Sequence, residues 1–263
     1  MLHIVKSPGS CGELVQGAIG DQHFLVTCPI NRYSYALSSK NMESLWPLII
    51  STDIEPLHFI KQLFNVPSEK RAMADETKDL GAMAKELIKT IQMKGTLQAK
   101  GQQMVQLLHH NAKEVDKIVC FSQLPPGKGL ASSSADLSAI AMATSLLQGL
   151  PMSYKEIAQA CLQIEPTDAS FYPGIVQFDY KKGAVTNHMG HMPPMKFLIF
   201  DTGGMIDTIA FNAQANLDCK IKEKEAVIKE ALHLLAEGLH LSDPWRIGQA
   251  ATMSAKANQH ILY

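Results

Sequence analysis

Residues 124–136 read L-P-P-G-K-G-L-A-S-S-S-A-D and set the strongest limit on what this chain can fold into. An apolar stretch, residues 117–122, reads as a strand running into this segment, and Pro125, Pro126, Gly127 and Gly129 turn the backbone sharply at its end. Beyond the turn, Leu137, Ile140, Ala141, Thr144 and Leu147 recur with helical spacing, giving one apolar face of a helix that begins near Ser133. A strand, a glycine turn and a helix start together aim a helix N-terminus at whatever lies above the loop. Its unpaired N–H groups and positive dipole end attract an anion, and the serine hydroxyls add donors or an oxygen ligand for magnesium. The segment therefore reads as a phosphate-binding device. It is not the P-loop, because Gly127-Lys128 is followed by Gly129 and no upstream glycine has the required spacing.

Lysine and arginine number 24 against 25 acidic residues, a formal charge of −1, so the overall balance draws the chain neither to nucleic acid nor to an anionic membrane. Only Arg32, Arg71 and Arg246 are arginines, too few for bidentate contacts along a nucleic-acid backbone. A small-molecule partner is expected. Cys11, Cys28, Cys120, Cys161 and Cys219 are odd in number, widely spread and without a C-x-x-C pair, which suits reduced, mainly buried thiols. The N-terminus lacks the apolar core of a signal peptide and no run is long enough to span a bilayer, so a cytoplasmic location is expected. With 263 residues the chain can form one large domain or two modest ones, and two are expected.

Short apolar runs at residues 24–30 and 33–38 read as sheet strands, with a turn at Gly20-Asp21. Helical spacing follows at Leu80, Met83, Ala84, Leu87, Ile88 and Ile91, and again at Met104, Leu107, Leu108, Ala112 and Val115. Ser153 and Glu156 form a capping box that opens a helix over residues 153–164, which Pro166 ends. Residues 174–180 read as a strand, and residues 195–201 as a strand covered on both faces. A helix is expected over residues 213–237, and a last one after Asp243-Pro244, an N-cap followed by proline.

Three further motifs carry chemistry. S-P-G-S-C-G-E-L-V-Q-G sets Glu13 and Gln16 among tight glycine turns, a place for substrate or simply for turns with a solvated carboxylate. E-P-T-D brings Glu165 and Asp168 together, which suits one carboxylate holding magnesium and the other accepting a hydroxyl proton; a turn capped by Asp168 is the plainer alternative. D-T-G-G-M-I-D-T-I-A-F-N, residues 201–212, follows an apolar strand, where ligands often sit. His188 and His191 have no carboxylate or thiol nearby in sequence, so a soft metal site there is not expected.

The loop matches P-x-x-x-G-L-x-S-S with Pro125, Gly129, Leu130, Ser132 and Ser133 in the signature places, and with Ser134 where alanine is usual. In this it resembles the GHMP small-molecule kinases. Taken with S-P-G-S-C-G-E-L-V-Q-G, F-L-V-T-C-P-I, I-E-P-T-D, Y-P-G-I-V-Q-F-D and D-T-G-G-M-I-D-T-I-A-F-N, the chain is most similar to the branch that phosphorylates L-threonine for cobalamin biosynthesis and propanediol utilisation. The resemblance implies an α+β fold of two domains: an N-terminal domain like the second domain of ribosomal protein S5 (residues 1–192), then a partial ferredoxin-like domain (residues 193–263). It implies ATP and Mg²⁺, with Pro125, Gly127, Lys128, Gly129, Leu130, Ala131, Ser132, Ser133 and Ser134 around the nucleotide. Ser133 and Glu165 would hold the metal, Asp168 would be the catalytic base, and Glu13, Gln16, Arg32 and Asp168 would meet the substrate. Ser10 stands where many members have lysine, and no third glycine-rich motif follows Ala257, so a shortened C-terminal segment, a weakly catalytic or non-catalytic nucleotide-binding member, and a homodimer are entertained. Another small alcohol, homoserine or a mevalonate-like acid, is the alternative substrate.

Overall fold

The computed structural model of the protein describes residues 2–40, 97–108, 118–201, 203 and 217–262. The helical spacing at Leu80 to Ile91, the end of the next one at Ala112 and Val115, and most of the glycine motif after Asp201 lie outside the described residues. Strands β1 (Leu2–Ile19) and β2 (Gln22–Ser39) form a long antiparallel hairpin that turns at Gly20-Asp21. β3 (Ile118–Ser122) pairs with the C-terminal half of β2, from Ser34 to Ser38. β4 (Ile175–Asp179) pairs with its N-terminal half at Leu25 and Val26, and β5 (Ala184–Gly190) extends the sheet. All pairings are antiparallel. The two apolar runs expected as separate strands are thus halves of one strand.

That strand is irregular in the middle. Pro8 pairs with Tyr33 and Ser10 with Pro29, so two steps along β1 are matched by four along β2. Across this irregular stretch the alternate side chains of β2 change face. Phe24, Val26 and Cys28 point into one apolar cluster, whereas Ala36 lies in the other. One cluster lies between the sheet and helices α1 (Ala99–Leu108), α2 (Ser132–Gln148) and α3 (Tyr154–Leu162). The other lies between the sheet and helices α5 (Glu225–His240) and α6 (Pro244–Leu262), which follow the short α4 (Leu217–Lys222). β4 serves both layers, with Ile175 in one cluster and Val176 and Phe178 in the other, as strand alternation requires.

The sequence-predicted face of α2 is buried in full: Leu137, Ile140, Ala141, Thr144 and Leu147 are all inaccessible. Beside the apolar residues packed on it, the sheet also presents hydroxyls to α2. Ser7 Oγ meets Ser138 Oγ at 2.7 Å, Ser38 Oγ donates to the Ala143 carbonyl at 2.7 Å, and Ser34 Oγ donates to Asp136 Oδ1. Burial pushes the Asp136 carboxyl up, while the Ser34 and Ser122 hydroxyls favour its charged form. Asp136 therefore ties α2 to β2 and β3 together.

Local signals account for the ends of the helices. Ser153 and Glu156 close the expected capping box on α3, and Asp243 Oδ1 accepts from Trp245 N at 2.9 Å to start α6. The single helix expected over residues 213–237 is interrupted between α4 and α5. The outer edge of β1 is met by α6: Ser254 Oγ accepts from Gln16 N at 3.1 Å and Asn258 Nδ2 donates to Gln16 O at 3.2 Å. The apolar run at residues 195–201 is not a covered strand. It forms no ladder within the described sheet, and Leu198 and Phe200 are 81% and 78% exposed. Hydrophobicity favoured burial there, but a strand also needs a pairing partner. No helix among the described residues is long and apolar enough to cross a membrane.

Asp136→Ala removes the partner of two part-buried hydroxyls and is expected to lower stability by about 2–4 kcal/mol, read by urea unfolding followed by circular dichroism.

Candidate active site

The loop after β3 is shaped from beneath by β1. A Cβ placed on Gly9 would stand 2.4 Å from Leu124 Cδ2 and 2.6 Å from the Leu130 carbonyl, so only glycine lets the two segments approach this closely. The next residue fastens the contact, because Ser10 N donates to Leu130 O at 3.1 Å. At the other end Leu124 N donates to Ser122 Oγ at 3.2 Å. Between these anchors Gly127 (φ 70°), Gly129 (φ 69°) and Ala131 (φ 54°) take left-handed backbone conformations. Ala131 caps α2 with its backbone alone, having no side-chain oxygen to offer the first-turn N–H groups. Those donors are left for a partner outside the cap residue, as in an anion site.

Serines of that first turn meet the E-P-T-D segment. Ser133 Oγ donates to Glu165 Oε1, and Lys100 Nζ from α1 pairs with Glu165 Oε2. Ser134 lies deeper: its hydroxyl is 3.5 Å from Asp168 Oδ2 and accepts from Asp168 N at 3.2 Å. Thr27 Oγ1 of β2 donates to the Asp168 carbonyl at 2.7 Å, and Ser170 Oγ donates to the Pro8 carbonyl at 2.8 Å. The backbone after Asp168 is strained, with Ala169 at φ 54°. Two strands and the loop helix thus fix the position of one carboxylate.

Glu13 comes to the same place from β1. It sits between two register shifts, Ser10 to Glu13 and Glu13 to Val15, where the strand carries extra residues. Burial pushes its carboxyl up. Asp168 is pushed up to about 7, chiefly by burial and then by the negative charge of Glu13. A carboxyl near neutrality is suited to take a proton at ordinary pH. Glu165 and Ser133 offer hard oxygen donors of the kind magnesium takes, and that ion keeps most of its shell for phosphates and water. Among the described residues no three His, Cys, Asp or Glu side chains form a metal cage, so a cation here would need that outside help.

The remaining sequence candidates are spread around this centre. Pro125 and Pro126 are exposed at the loop's outer side, and Lys128 Nζ pairs with Asp201 Oδ1 at 2.9 Å, which holds the Asp201 carboxyl below the usual range. Arg32 is exposed on the irregular stretch of β2. Gln16 has its backbone bound by Ser254 and Asn258 of α6. Two groups had no signal in the sequence reading: Lys100, an ordinary lysine at a helix start, and Asp136, which follows the serine cluster. For Asp136 the alternation of Ser34, Ala36 and Ser38 was the available clue, since small residues on one strand face invite a close helix.

Comparison with known proteins agrees with this geometry. Residues 97–173 match the GHMP kinases N terminal domain. The L-threonine kinase of Salmonella typhimurium is 27% identical over 264 residues, covering 98% of this chain and 71% of that protein. The L-threonine kinase of Citrobacter freundii is 27% identical over 259 residues, covering 98% and 74%. The crystal structure of the Methanococcus jannaschii mevalonate kinase superposes with a TM-score of 0.54 at 14% identity, over 100% of this chain and 80% of that one. The fold is shared with that mevalonate kinase structure, and the family match falls on the segment that holds the loop.

Gly9→Ala is expected to destabilise the protein by about 1–3 kcal/mol through overpacking and to open the loop over residues 124–131. Thermal unfolding reads the first effect and faster proteolytic cleavage within the loop the second.

Proposed function

We propose that this small-molecule kinase, whose residues 97–173 are a GHMP kinase N-terminal domain, transfers the terminal phosphoryl group of ATP to the side-chain hydroxyl of L-threonine. The product is L-threonine O-3-phosphate, for assembly of the cobalamin nucleotide loop. The observation that carries the reading is the double link between the first turn of α2 and the E-P-T-D segment: Ser133 to Glu165, and Ser134 to Asp168. It sets an anion-binding helix start beside two carboxylates with different surroundings. The two relatives named L-threonine kinase support the choice of acceptor.

In this reading the backbone and hydroxyls from Pro125 to Ser134 cradle the phosphates, with Gly127, Lys128, Gly129, Leu130, Ala131 and Ser132 forming the wall of the cradle. Ser133 and Glu165 would hold Mg²⁺, which would neutralise phosphate charge. Asp168 accepts the threonine hydroxyl proton while the oxygen forms its bond to the γ-phosphorus and the bond to ADP breaks. Positioning supplies most of the acceleration, because phosphoryl transfer asks little covalent chemistry of the protein. Glu13 faces the substrate ammonium and Arg32 its carboxylate.

The primary test is ADP release from ATP and Mg²⁺ with L-threonine, L-serine, L-homoserine, mevalonate or no acceptor. Threonine-dependent release is expected; release with another acceptor alone sinks the assignment. Asp168→Asn is expected to lower turnover roughly 10²- to 10⁴-fold with ATP binding retained, and equal loss of both would remove Asp168 from the base role.

The pH profile is a separate check. The base works only when deprotonated, so kcat/KM is expected to rise with pH through about 7 and level off above it. Removing the negative charge of Glu13 lowers the Asp168 pKa, so Glu13→Gln is expected to move that rising limb to lower pH. A limb that stays in place would disconnect the two carboxyls.

A further inference from the structure

We infer that Lys100 is a positioning residue of this site: its ammonium holds the Glu165 carboxylate while no metal ion is bound, yields it to the metal that comes with the nucleotide, and then turns to the phosphate oxygens. The inference rests on Ser133 and Glu165 being the metal-binding pair. Both oxygens of the Glu165 carboxylate are engaged, one by the Ser133 hydroxyl and one by Lys100 Nζ. The two partners differ in mobility. The Glu165 side chain is 10% exposed and held in place, whereas Lys100 is 47% exposed and reaches in from solvent on a flexible stem.

Two features of α1 run against ordinary helix preference and fit this role. A lysine in the first turn opposes the helix dipole, so helix formation does not explain Lys100 there. Gly101, the next residue, weakens the helix, yet a Cβ at that position would stand 2.9 Å from Ile140 Cδ1. The missing side chain lets α1 lie close on α2, with Met104 and Val105 buried in the shared core. That approach carries Lys100 to the mouth of the loop. An ammonium on a carboxylate oxygen competes with a metal ion for the same oxygen. A triphosphate bound at the start of α2 would place new negative charge within reach of the released lysine.

The test is titration of the full chain with Mn²⁺ alone, without nucleotide, followed by electron paramagnetic resonance or calorimetry. Lys100→Met is expected to bind Mn²⁺ roughly five- to tenfold more tightly than the unaltered protein, as loss of a competing ion pair predicts. Lys100→Arg, which keeps the charge, is expected to stay near the unaltered affinity, and Glu165→Gln to lose most Mn²⁺ binding. Binding of ADP with Mg²⁺ is expected to weaken severalfold in Lys100→Met. Unchanged Mn²⁺ affinity in Lys100→Met, with binding lost in Glu165→Gln, overturns the Lys100 inference and leaves the metal pair standing. Unchanged affinity in both variants overturns the metal pair as well. Lys100→Gln replaces the methionine variant if that one fails to fold.

Discussion

The site depends on how closely α2 can lie against the sheet, and serine makes that possible. Ser7, Ser34 and Ser38 are small enough to admit the helix, and each has its hydroxyl hydrogen-bonded to a group on α2. A bulky apolar residue at any of these positions would lift the helix and move its N-terminus. Hydroxyls fix both distance and register, because each bond has one partner and one geometry. Apolar contact alone would tolerate sliding along the axis. The start of α2 therefore inherits its position from the strand serines, and Gly9 and Ser10 of β1 fit the loop of residues 124–131 to it.

The same seam explains why the first turn of α2 can meet two carboxylates in different surroundings. Ser133 faces outward to Glu165, which also meets Lys100, and Ser134 faces inward to Asp168. One hydroxyl step along the helix separates a carboxylate balanced by a cation from one surrounded by hydroxyl, backbone and the Glu13 carboxyl. Helical geometry turns successive side chains by about 100°, so neighbouring serines necessarily address different environments.

Much of this was legible in the chain because it is local. The loop, the apolar face from Leu137 to Leu147, the Ser153–Glu156 capping box and the Asp243 cap each depend on residues a few positions apart. What was not legible is long-range. The partners Lys100 and Glu165 lie 65 residues apart and Ser34 and Asp136 lie 102 apart, and no local pattern selects one among many such pairs. The run from Met195 to Asp201 shows the converse error. Its hydrophobicity resembles that of a buried strand, yet strand identity depends on a neighbouring ladder, and Leu198 and Phe200 stand exposed. The slip in β2 was hidden for a related reason: the two apolar runs were visible, but the continuity between them depends on pairing with β1.

Glu165 and Asp168 carry the same chemical group three residues apart, so their division of labour has to come from surroundings rather than composition. A group meant to bind a cation is suited by surroundings that already accommodate positive charge. Glu165 meets that condition through Lys100. A group meant to accept a proton should have its charged form disfavoured, and burial with Glu13 does this for Asp168. Exchanging the roles would put a metal on a carboxyl whose charged form burial and Glu13 disfavour. Those surroundings are the ground on which Asp168 is proposed as the base and Glu165 as the metal ligand.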